Sequence, residues 1–188
     1  MRARVFALSV LLLLAGCGGH SAPSAKPTPA PRSSVLPTVR DTATLEVSAH
    51  GSSVSCLERI VVDELGYWEN TLTASTPMTI TDVRTVGHGV RVLGGLLVPV
   101  NGGTVHSAGI TDWPPTADRT LRRDVDWSRR TQLVGAQVPV QRAMLPMLHL
   151  RASGGGRLDA VVFGFRSDDG QVGTARLTLG IRFSRTTC

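Results

Sequence analysis

The sequence predicts an all-β domain, an antiparallel sandwich spanning residues 41–188, and three observations carry that expectation. Apolar residues alternate with polar ones in several short runs, and Gly, Pro, Asn and Asp interrupt those runs. No stretch after residue 16 holds a 3.6-residue apolar period over three turns. The C-terminal end is the clearest part. Val161, Phe163 and Phe165 alternate with other residues, and Ser167-Asp168-Asp169-Gly170 supplies a turn. Ala175, Leu177, Leu179, Ile181 and Phe183 then recur at period two between Thr174, Arg176, Thr178, Gly180 and Arg182. Such alternation sets one row on a core and the other in water. Asp-Gly between two such rows favours a hairpin, because both residues tolerate positive φ.

Further strands are expected at residues 44–48, 57–63, 69–74, 79–86, 90–98, 132–140 and 148–152. Gly87-His88-Gly89 falls between two of them and reads as a hairpin loop, since no helix follows that would make it a phosphate cradle. About nine short strands in a domain of this length resemble an immunoglobulin-like sandwich, in architecture only. A jelly roll or small barrel is the alternative.

The N-terminus carries a different signal. Met1-Arg2-Ala3-Arg4 is a positive n-region, and Val5 to Leu14 is an apolar run broken only by Ser9. A membrane span needs ~20 apolar residues, so this run fits a signal peptide instead. Leu14-Ala15-Gly16-Cys17 closes the leader. This tetrapeptide resembles the lipobox of bacterial lipoproteins. The resemblance implies removal of residues 1–16, a diacylglycerol thioether on Cys17 and often an acyl chain such as palmitate on its amine. It implies a membrane partner reached through that lipid, and a place on the extracytoplasmic face of the cell membrane.

Residues 17–40 then form a linker, with Pro23, Pro27, Pro29, Pro31 and Pro37 among Ser, Ala and Thr. Such a composition buries too little apolar surface to offset its ordering entropy, so a disordered tether is expected. At about 3.1 Å per residue in polyproline II it reaches about 70 Å. The formal net charge of +6 falls to +4 once Arg2 and Arg4 leave, and Lys26 is the only lysine. The remaining arginines are scattered among acids, which argues against a nucleic-acid partner.

Cys56 and Cys188 are the two cysteines of the domain. An even pair in an exported protein usually bonds. A bridge here closes a loop of about 130 residues, worth about 5 kcal/mol in the chain-entropy model.

No Gly-x-Ser-x-Gly elbow, His-Glu-x-x-His or P-loop is present, so no enzyme class and no cofactor is indicated. Met144, Met147 and His149 are the one soft-ligand group, and their alternative reading is an exported copper carrier. The favoured reading is methionine as core filler and His149 as an outward residue between Leu148 and Leu150. His50, His88 and His106 read as surface residues, and Asp168-Asp169-Gly170 lacks the ligand spacing of a calcium loop. The segment 101–130 is long and rich in Gly, Pro and charge. Trp113, Trp127, Arg122 and Arg123 are its candidate partner contacts, toward a cell-envelope protein or polymer. The competing reading has both tryptophans capping an open end of the sandwich and Arg119, Arg122, Arg123, Arg129 and Arg130 paired to Asp118, Asp124 and Asp126. The expected function is therefore a non-enzymatic, membrane-anchored binding module.

Overall fold

A computed structural model describes residues 43–48, 55–58, 62–106, 108–115 and 118–188. The expected signal peptide, Cys17 and the linker lie outside the described residues. Ten strands are described: β1 (Leu45–Val47), β2 (Ser55–Leu57), β3 (Val62–Trp68), β4 (Leu72–Ala74), β5 (Met78–Pro99), β6 (Gly109–Asp112), β7 (Thr131–Gln132), β8 (Gln137–Val138), β9 (Met144–Ser167) and β10 (Val172–Phe183). A short helix, α1 (Arg119–Asp124), and a 3-10 turn (Trp127–Arg129) lie between β6 and β7. The domain is all-β, and its strands join into one curled sheet.

Two strands organise it. β5 and β9 pair antiparallel from Met78↔Ser167 to Pro99↔Met144, and both bend midway. One end of the pair carries β3, β6 and β7; the other carries β8, β10 and β2. The bend lets both ends line one main core. Leu65, Leu97, Leu148 and Leu150 enter it from the first end, and Phe163, Phe165, Leu177 and Phe183 from the second. The C-terminal hairpin turns at Asp168–Gly170, where Gly170 takes φ +88°, and the Asp169 carboxylate is tied to the Ser167 hydroxyl and the Gln171 amide.

Four sequence expectations need correction. The expected strand over 69–74 shortens to β4, since Glu69, Asn70 and Thr71 lie between strands. Residues 87–89 are not a hairpin loop; β5 runs straight through them and bends there. Gly87 has φ +137°, and a Cβ on it would lie 2.0 Å from the Arg157 carbonyl oxygen. The glycines thus serve close approach of two bent strands rather than chain reversal. The expected strand over 132–140 is two short pieces, β7 and β8, separated by a turn at Gly135 (φ +86°). The sheet is also not wholly antiparallel, because β2 runs parallel to β10 with Cys56 beside Arg182. No hairpin joins these two strands, so nothing local dictates their direction. The Cys56–Cys188 disulfide holds them, with Cα atoms 6.2 Å apart across a sequence separation of 132. Ser184 N–H donates to the Leu57 carbonyl at 2.8 Å, and Cys188 N–H to the Glu58 carboxylate at 3.0 Å.

Candidate functional site

Alternation gives β3, β9 and the second half of β5 an outer face turned away from the main core. Glu64, Gly66 and Trp68 lie on it from β3, and Leu145, Met147, His149 and Arg151 from β9. Arg91, Gly94, Leu96 and Val98 lie on it from β5. An apolar outer face needs a cover, and residues 100–130 supply one. Val100, Val105, Leu121 and Val125 form a second core with Trp68, Val98, Leu145 and Met147.

The cover folds through local chemistry. Asp118 caps α1 by accepting from Leu121 N–H at 2.8 Å, and Leu121 is fully buried beneath the helix. The buried Asp124 carboxylate accepts from His106 N–H at 2.7 Å. Asn101 binds back to the helix end, its side-chain amide donating to the Arg123 carbonyl at 3.1 Å. Val100 and Val125 form an isolated antiparallel bridge. The Asp126 carboxylate accepts from the Ser128 hydroxyl at 2.6 Å and lies 3.4 Å from the Arg129 guanidinium. The Ser128 hydrogen bond, more than Arg129, holds its carboxyl below the ordinary range.

The aspartates are therefore spent mostly on backbone and hydroxyl groups. The expectation that the segment's arginines pair with Asp118, Asp124 and Asp126 holds only for Arg129 with Asp126 among the described residues. Arg119, Arg122 and Arg123 are exposed, with the last two in the final turn of α1, where the helix dipole favours them. Arg130 lies 5.4 Å from the Trp127 ring centroid and donates to the Trp127 carbonyl at 2.9 Å. Both candidate tryptophans are half-buried against the second core, so they cover a sheet face rather than an open end.

Trp113 marks the edge of the cover. Its ring stacks on His149 with centroids 4.7 Å apart and planes within 3°. It also lies above Gly66, where a Cβ would come 3.4 Å from Trp113 Cε3. Nε2–H of His149 donates to the Glu64 carboxylate at 3.1 Å. Met147 shares His149's sheet face but is fully buried in the second core. Met144, three residues earlier, belongs to the main core and borders an open groove with Arg129, Gln132 and Gln137. The structure thus does not bring Met144, Met147 and His149 together, because an odd spacing on a strand points to opposite faces. Among the described residues no group of three His, Cys, Asp or Glu side chains is placed to hold a metal. His88 Nε2 lies 3.1 Å from the Gly155 carbonyl at the bend, and His50 lies outside the described residues.

Beyond Trp113 the outer face is uncovered. Glu64, Arg151 and Arg91 stand side by side on β3, β9 and β5. The next row is Gly66, His149 and Gly94, and a Cβ on Gly94 would meet nothing within 4 Å. Leu93 is the extra residue of a bulge between Val92 and Gly94 and is 40% exposed. Sequence reading named His149 and Trp113 separately and missed Glu64, Arg91 and Arg151. The outward positions of the arginines follow from alternation, but their adjacency depends on register between distant strands. No protein-family model matches the chain, and no curated protein is similar to it in sequence.

Proposed function

We propose that this chain is a lipid-anchored lipoprotein of the extracytoplasmic face of the cell membrane, and that its β-domain is a non-enzymatic binding module for a protein or polymer of the cell envelope. One observation carries the address: Leu14-Ala15-Gly16-Cys17 closes a positive and then apolar leader. The binding reading is supported by the cover segment, which keeps Trp113 and Trp127 half-buried while Arg119, Arg122 and Arg123 face solvent without ion pairs among the described residues. Exposed arginines near an anionic partner contribute about 1 kcal/mol each. The finer architecture is read as immunoglobulin-like, and a main core lined from both ends of the curled sheet supports that reading.

Two acyl chains hold a protein durably at a bilayer, since each buried CH₂ adds about 0.8 kcal/mol. Detergent phase partitioning of the native protein and of Cys17→Ser tests the anchor. The native protein belongs in the detergent phase and the variant in the aqueous phase; equal aqueous recovery of both refutes the anchor. Photo-crosslinkers placed at positions 122 and 123 in intact cells test the module. A discrete envelope partner is expected, and an absence of crosslinked species from both positions counts against it.

A further inference from the structure

Arg91 and Arg151 occupy directly opposite positions on β5 and β9, and both are exposed. Opposite cross-strand residues on one face hold their Cβ atoms about 5 Å apart, and like charges so placed repel. Neither guanidinium can relieve this by losing its proton. Among the described residues neither forms an ion pair. The one carboxylate in the row, Glu64, stands opposite Arg151 and accepts from His149 at 3.1 Å. Glu64 offsets part of this charge beside Arg151, the row stays net positive on the Arg91 side, and an oxyanion bound by both guanidinium forks would neutralise the remainder.

The surroundings suit a ligand larger than a free ion. Gly94 leaves open space beside the Trp113–His149 stack, and the bulge at Leu93 leaves an apolar side chain exposed next in sequence. Bulges commonly re-aim a side chain beside a site. We propose that Arg91 and Arg151 form an oxyanion site for a carboxylate or phosphate carried on a ligand that rests over Gly94 against Leu93 and the His149 edge. This inference rests on the binding-module reading and names the ligand chemistry for it.

The test uses the full chain carrying Cys17→Ser, titrated with inorganic phosphate and separately with acetate while NMR follows the arginine Nε–Hε signals. Saturable shifts of Arg91 and Arg151 are expected with at least one anion, and the stronger binder separates a phosphate from a carboxylate ligand. Arg151→Gln or Arg91→Gln weakens binding about fivefold or more, as expected from loss of a charge-assisted fork, whereas Arg84→Gln leaves it unchanged. Uniform weak shifts over all exposed arginines overturn the proposal. Saturable binding at Arg122 and Arg123 alone also overturns it, while leaving the binding-module reading intact.

Discussion

Tyr67 is the chain's single tyrosine, and its phenol is buried and donates to the Glu69 carboxylate at 2.6 Å. Burial, with the nearby Glu69 charge adding to it, pushes the phenol well above its ordinary value of 10.0. The folded chain therefore keeps a proton that the unfolded chain releases. Its stabilising effect is whole below pH 10 and is lost as the pH rises further, at about 1.4 kcal/mol per pH unit for one proton. Tyr67→Phe is expected to remove that share of the alkaline loss. In the parent, phenolate absorbance should rise only together with unfolding; a phenolate signal near pH 10 in a folded chain contradicts this. Trp113 gives a second prediction at this scale. Its ring combines half-burial against the second core with stacking on His149, so Trp113→Ala should lower stability by about 2 kcal/mol. A denaturant midpoint identical to the parent's is the contrary result.

The bend of β5 against β9 is the element on which the architecture turns. Gly87 combines a φ of +137° with a Cβ position 2.0 Å from a backbone oxygen, so a side chain there must move the strand. Gly87→Ala is expected to cost about 3 kcal/mol, whereas Gly102→Ala, at φ +69° with open space, should cost about 1 kcal/mol. Equal losses at both positions, measured by chemical denaturation, would show that the bend tolerates a side chain. The same element shows where the sequence was legible. Alternation correctly located the strand halves around 79–86 and 90–98, because period two is a local property. Whether Gly87-His88-Gly89 reverses the chain or bends it depends on what packs opposite, and Arg157 and Gly156 are far away in sequence. The Asp169-Gly170 turn was legible for the opposite reason, since its two strands are adjacent and the turn residues alone set the reversal.

Over the whole molecule, one covalent bond ties Cys188 to strand β2. The Cys56–Cys188 bridge spans 132 residues, so reduction or Cys56→Ser/Cys188→Ser should lower stability by as much as about 5 kcal/mol in the chain-entropy model. A midpoint unmoved by reductant contradicts that. The pairing was legible from the cysteine count and the export expected from the leader, whereas the parallel run of β2 beside β10 was not, because no local turn encodes it. The outer-face site was half legible. Period two put Met147 and His149 on one face but left Met144, ahead of Pro146, without a direction, and the Glu64–Arg151–Arg91 row exists only once three strands are in register. The proposed address rests on the leader alone, and the proposed binding at the envelope requires that the domain first be held there. Mass spectrometry of the mature protein from isolated membranes tests this most directly. An N-terminal Cys17 bearing a diacylglycerol thioether is the expected result; a mature terminus at another residue, or an unmodified Cys17 sulfur, contradicts the anchor.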